Sequence, residues 1–341
     1  MPNFCRHNRF LANCPICSRD QVEIVSSRRT STARPATRAA PSRSRSSASS
    51  ARGGRSSGAV RVRQVAREQD DGFRSALIPG VKASAAAERL AEELAFAAAR
   101  LALLAADPPG LYGDVAAAAG SQAAGSAERE EALWLAFLTA YLCPLEGDDP
   151  FGGVRTARTS WASGELPRLE DVPLGPRTAH DPLRGTATLA AYRAWAERAG
   201  SQDAAFAGES SWTPERRFAR DYERLALPGL QRDARFDLLV TLGQLGLHDL
   251  RAETLQLGGA DETTVAAKRV FGIADTLLLE RRAGELAAAA QLPLAALDLA
   301  LWNWNRLPQP ATGERERATL GAAGSEPDAD AYARAAAVLG L

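Results

Sequence analysis

The chain has 341 residues, 45% of them apolar, with 41 basic and 41 acidic residues, which allows one large or two moderate folded units plus unfolded segments. No run of eighteen apolar residues exists and the N-terminus lacks the apolar segment of a secretory signal, so a membrane span is excluded and a cytoplasmic protein is expected. With four cysteines in all, a disulfide-stapled class is excluded as well. The zero net charge conceals an asymmetry: residues 1–67 hold fourteen arginines against Asp20 and Glu23, a balance of +12, and the remainder carries −12. Arginine supplies 39 of the 41 basic residues, leaving Lys82 and Lys268. G·C-rich codons alone would produce such a bias, so the arginines by themselves do not point to phosphate binding.

Three of the four cysteines and one of the three histidines crowd into thirteen residues, as Cys5, His7, Cys14 and Cys17 in the pattern C-x-H-x6-C-x2-C. Three thiolates and an imidazole form a tetrahedral donor set that suits Zn²⁺, and Pro15 favours the tight turn that lets Cys14 and Cys17 reach one ion. A disulfide leaves the histidine and one thiol without a role. About twenty residues with so few apolar side chains need the ion as organiser. Four protein ligands leave no position for water, so residues 1–22 are expected to be a small structural zinc module. An unstructured tail with coincidental thiols is the plainer alternative.

From Val25 to about Gly58, Ser, Arg, Ala and Gly dominate, and 23–74 reads as a disordered basic linker. It would serve as a soluble tether or would draw phosphate backbone by counterion release. Beyond residue 75 apolar residues recur at three- and four-residue intervals, predicting helices over 88–106, 128–143, 187–199, 214–227, 234–246, 263–273, 277–290 and 293–305. Thr213, Pro214 and Glu215 make a strong helix start: a capping hydroxyl, a residue whose missing N–H costs nothing there, and a charge suited to the dipole. Alternating β patterns are nearly absent. The expectation is an all-α body over 75–310, followed by a C-terminal tail and helix over 311–341.

Three stretches of this body carry candidate chemistry. In LALPGLQRDARFDLLVTLG (225–243) a helix ends at Leu227-Pro228-Gly229 and another follows; the amides there could seat a phosphate oxygen, with Arg232 and Arg235 adding charge. A plain helix–helix corner reads the same. In GGADETTVAAKRVFGI (258–273) Asp261 stands before a helix as a cap, and Lys268 and Arg269 lie two turns further on. In DLALWNWNR (298–306) Trp302 and Trp304 point about 200° apart, so one is expected to pack inward and the other to face a groove, as core and rim aromatics rather than a base-stacking platform.

Taken together, hairpin LPGL, a following helix and a D-x-T-x5-R-V helix start (Asp261, Thr263, Arg269, Val270) resemble the helix-hairpin-helix DNA glycosylases. CRHNRFLANCPIC, FLTAYLCPLEGDDPF (137–151), SWTPERRFARDYERL, AAKRVFGIAD and LDLALWNW are similar to the α-glutamyl/putrescinyl thymine pyrophosphorylase branch, which includes bacterial anti-phage glycosylases that excise glucosylated hydroxymethylcytosine. The resemblance spans most of the chain outside the linker. It implies excision of a bulky modified base from double-stranded DNA, with Asp261 as the carboxylate at the sugar, Gly229, Arg232, Arg235, Lys268 and Arg269 on the DNA, and a structural Zn²⁺. Gln231 replaces the second glycine of the usual L-P-G-x-G, and Asp233 stands where lyase-type relatives place a lysine nucleophile, which implies hydrolysis rather than a Schiff base. The interval from hairpin to Asp261 is long, so Asp275 and Asp298 stand beside it as candidates. Glu146, Asp148 and Asp149 are candidate contacts for a sugar on the base, with a solvated loop as the plainer and preferred reading. A pyrophosphorylase-like enzyme of modified thymine and a DNA-binding adaptor that has lost catalysis remain open readings.

Overall fold

The computed structural model describes residues 70–121, 125–142, 151–306 and 327–341, all within a unit that spans Val65–Leu341. Among them every regular element is an α-helix, in agreement with the apolar spacing. The zinc-ligand candidates Cys5, His7, Cys14 and Cys17, nearly all of the linker, and Glu146, Asp148 and Asp149 lie outside the described residues. No single helix among the described residues is long and apolar enough to cross a membrane.

The folded body starts earlier than the spacing indicates. Asp71, assigned to the linker above, accepts the Ser84 amide at 2.9 Å and its hydroxyl at 2.5 Å, and so caps helix α1 (Ser84–Ala106), whose own N-cap Ala83 has no side chain for the task. Phe73 packs against the core. An acidic, apolar-poor stretch hides this role because the partner lies thirteen residues downstream.

The middle of the chain forms α2 (Leu111–Ser121), α3 (Ala127–Leu142), short α4 (Gly152–Ala157), α5 (Gly185–Arg198), short α6 (Gln202–Ala207), α7 (Pro214–Arg224) and α8 (Arg232–Gln244). The spacing missed α2, α4 and α6: α2 is mostly alanine and glycine with little contrast between faces, and six residues are too few to display a period. Helix α3 is held to α5 by stacked rings, Phe137 on Tyr192 at 3.7 Å and Trp134 on Tyr192 at 5.8 Å between centroids. The buried Glu130 of α3 accepts the amides of Gln202 and Asp203 at 2.9 Å each and thereby caps α6.

Helices α9 (Glu262–Phe271), α10 (Thr276–Ala290), α11 (Leu294–Arg306) and α12 (Pro327–Leu339) complete the body. Helix α1 packs on α11 and α12, α11 also on α9 and α10, and α8 on both α1 and α3. Helix α12 therefore belongs to the same body rather than to a tail. Residues 296–305 are buried all round, so Trp302 and Trp304 both lie inside, correcting the expectation of one groove-facing indole. A central helix has no outward face, and Trp304 Nε1–H finds the Ala86 carbonyl at 2.9 Å.

The segment before α1 crosses the end of α9 at backbone contact: Gly80 N–H donates to Val270 O at 2.9 Å, and a methyl group at Gly80 would overlap the Arg269 carbonyl oxygen. Gly80→Ala should therefore cost about 1–3 kcal/mol by overpacking. Urea unfolding is the measurement, and wild-type stability would refute the crossing.

Candidate functional site

The site is built from two helix starts that face one another. The first follows the hairpin. Helix α7 begins as expected, with Thr213 Oγ1 accepting the Arg216 amide at 3.3 Å and Pro214 in first position. After it, Leu230 N–H closes a turn on Leu227 O at 3.1 Å. Gly229 sits there with φ +78°, a region that side chains rarely tolerate, and a methyl group would overlap Thr188 Oγ1 of α5. Helix α8 then starts at Arg232 with Gln231 as N-cap, which supplies no side-chain hydrogen bond.

The second start is α9. Its cap is Asp261, as the sequence indicates: Oδ1 accepts the Thr264 amide at 2.9 Å and Oδ2 the Thr264 hydroxyl at 2.8 Å. The side chain keeps 17% of its surface exposed, and its Oδ1 lies 3.9 Å from Arg232 Nε. Donors on both oxygens suit a negative charge in this place.

Between the two starts lies a buried knot of charge. Arg232 donates through Nη1 to Asp298 Oδ1 at 2.5 Å and to Asp233 Oδ1 at 2.7 Å, through Nε to Gln256 O at 3.4 Å, and through Nη2 to Leu255 O. Arg177, from the loop between α4 and α5, binds the other oxygen of Asp298 and stands 3.7 Å from Asp233 Oδ1. Burial disfavours the charge on Asp298, but Arg177 and then Arg232 outweigh it and hold the carboxyl below the usual range. Burial pushes Asp233 up; Arg177 draws it back, and the neighbouring charge of Asp298 adds to the rise. Both arginines are likewise disfavoured by burial, yet the surrounding aspartates, Asp298 foremost, raise them.

The structure thus brings Asp261, Asp298 and Arg232 together and leaves other candidates apart. Asp275 caps α10 from an exposed position, accepting the Leu278 amide at 3.0 Å. Asp298 has 3% of its side chain exposed and lies beneath the knot, both oxygens taken by guanidinium groups. Arg232, expected on DNA, is turned inward with 7% exposure, because two carboxylates and two carbonyls claim its donors. Arg235 lies over the Tyr222 ring at 4.3 Å and donates to the Tyr222 carbonyl. Arg269 covers Trp304 at 4.8 Å and donates to Asn305 Oδ1, and the half-exposed Lys268 reaches Gly259 O at 3.5 Å. Among the described residues no group of His, Cys, Asp and Glu could hold a metal ion.

Two features had no sequence signal. Arg177 is 121 residues from the carboxylate it binds, with no local pattern to mark it. Downstream on the same loop, His180 Nδ1 meets Tyr141 Oη at 3.2 Å, burial holding the imidazole below its usual range. Asp181 Oδ1 then accepts the Leu183 amide at 2.8 Å, and its carbonyl accepts the Arg184 and Gly185 amides at 3.0 and 2.7 Å. This tight turn presents Leu183 with 94% exposure, one helical turn before the Thr188 that touches Gly229.

No family model, curated protein or solved structure matches this chain. The geometry alone therefore bears on function.

Removing Asp298 would leave two buried cations without their shared partner. Asp298→Asn should cost about 3–5 kcal/mol, read by urea unfolding at neutral pH. Because the folded carboxyl lies below the unfolded value of 3.8, its contribution is present above that value and lost as pH falls below it. The variant's acid unfolding should be correspondingly shallower; an unchanged profile would refute the assignment.

Proposed function

We propose that this protein is a DNA glycosylase that hydrolyses the N-glycosidic bond of a bulky hypermodified base, glucosylated hydroxymethylcytosine being the first candidate, and leaves an abasic site in phage DNA. One observation carries the reading: a glycine-turn hairpin between α7 and α8 is followed by a helix whose partly buried cap carboxylate, Asp261, faces the hairpin helix's first residue, Arg232. The resemblance to helix-hairpin-helix DNA glycosylases of the thymine pyrophosphorylase branch supplies the chemistry to test.

A base inside a duplex is out of reach, so the nucleotide must be extruded, at a cost of a few kcal/mol. The first-turn amides of α8, without a side-chain cap, suit a phosphate oxygen on the flank. As the bond to the base stretches, positive charge grows on the sugar ring. Asp261 offers a fixed negative charge to that centre and can orient or deprotonate water. Asp261 is preferred over Asp298, whose oxygens are both bound by buried arginines, and over Asp275, which stands outside the charge knot. Leu183, exposed on the turn that leads into α5, provides an apolar point able to enter the gap that an extruded nucleotide leaves. Zn²⁺ on Cys5, His7, Cys14 and Cys17 belongs to this reading as a structural element, since three thiolates and one imidazole suit the ion and fill its shell.

The deciding experiment incubates the protein with duplexes bearing glucosylated hydroxymethylcytosine or plain cytosine and measures free base and alkali-labile sites. Release from the modified duplex is expected, with Asp261→Asn lowering it by about 100-fold or more while the fold and DNA binding persist. Release from neither duplex would refute the reading. Leu183→Ala should lower release from duplex by about ten-fold, a change of about 1.4 kcal/mol in the barrier, and leave release from single strands unchanged. Equal losses on both substrates would exclude the intercalating role.

A further inference from the structure

Asp233 is the least settled member of the charge knot. All its contacts fall on one oxygen: Oδ1 takes Arg232 Nη1 at 2.7 Å, the Thr263 hydroxyl at 3.4 Å and the more distant Arg177 at 3.7 Å. Among the described residues no hydrogen bond falls on Oδ2, in a side chain that is 13% exposed. Its surroundings are crowded with like charge. Asp298 approaches from α11 and Asp261 from α9, both on the Arg232 guanidinium. Asp237 lies one turn along α8 and faces Arg100 at 3.9 Å. Glu280 of α10 holds the amides of Leu255 and Leu257, the former on the strand of chain that Arg232 also grips. Two guanidinium groups, Arg177 and Arg232, thus meet three carboxyls, Asp233, Asp261 and Asp298. Within this directly contacting set, charge balances when one carboxyl carries a proton.

Asp298 is the poorest place for that proton, because each oxygen accepts from a guanidinium, and both oxygens of Asp261 are engaged by Thr264. Asp233 offers Oδ2. Its position is equally telling: it is the second residue of α8, and Thr263, two residues past Asp261, touches it.

We infer that Asp233 is a second working carboxyl of this site, the proton carrier that serves the departing base while Asp261 serves the sugar. The inference rests on the glycosylase reading and deepens it. The neutral carboxyl gives its proton to a ring nitrogen or exocyclic oxygen of the base as the C1′–N bond breaks and the bonding pair moves onto that base. Water then bonds to C1′ and returns a proton to the Asp233 carboxylate. The balance is one water consumed, one free base and one abasic sugar formed, with the enzyme restored. Two carboxyls in different settings, one holding a proton and one holding charge, divide acid and electrostatic work between them.

The test measures single-turnover base release from the glucosylated duplex against pH. Wild-type release should decline as pH rises through the Asp233 value. Asp233→Asn should lose about 100-fold or more at acidic and neutral pH and flatten the profile, and Asp233→Glu should restore the slope. A second measurement does not depend on activity: ¹³C NMR of aspartate carboxyls in the whole protein, with Asp233→Asn for assignment, should place the Asp233 midpoint above the usual value of about 3.9. A wild-type enzyme that releases base, paired with an Asp233→Asn variant of unchanged rate and slope, would overturn this inference and leave the glycosylase reading standing. An ordinary midpoint would overturn it as well. No release by wild type would remove both together.

Discussion

The buried guanidinium of Arg232 is the constraint on which the rest depends. A cation taken out of water must be surrounded by acceptors, and this one gathers them from four places: Asp233 beside it on α8, Asp298 on α11, Asp261 before α9, and the carbonyls of Leu255 and Gln256 in the connection between α8 and α9. Meeting its demand fixes how the hairpin helix stands against the helix that presents the cap carboxylate. Arg177 adds the loop before α5 to the same centre through Asp298. A candidate site assembled from distant stretches of chain thereby acquires a common anchor, and Asp298, the least exposed acid of the knot, holds it from below.

The same anchor explains a substitution of roles. Arginine next to a hairpin turn suggests a hand extended to phosphate, and Arg232 was expected there. Its donors are consumed internally, so the positive end at this turn is left to backbone amides, in a helix start where Gln231 supplies no side-chain cap. Arg235 and Arg269 are likewise spread over Tyr222 and Trp304. In a chain with almost no lysine, arginine does the structural work of flat cations on rings and carbonyls, so its abundance is a poor guide to where a nucleic acid would lie.

What was legible in the sequence follows from the range of the interactions involved. The long amphipathic helices, the Thr213-Pro214 start and the Asp261 cap are local, set by spacing and by neighbours three residues away, and they stand where the residues indicate. Short α4 and α6 left no period to read. The start of the body at Asp71 and the cap that Glu130 places on α6 depend on partners thirteen and seventy-two residues distant. The contacts of Arg177 and the crowding of carboxyls around Asp233 exist only once four separated segments have met. Asp233 was visible as a departure from a lysine, yet its meaning lies in the crowding of carboxyls around it.

One small contact has mechanical consequences. The Thr188 hydroxyl fills the space at Gly229 where a side chain would stand, and Thr188 is a single turn into the helix that the Leu183 loop leads into. No side chain separates the hairpin turn from that helix, so the two backbones approach as closely as one hydroxyl allows. A bulkier residue at either point of that joint would force the hairpin and the helix apart.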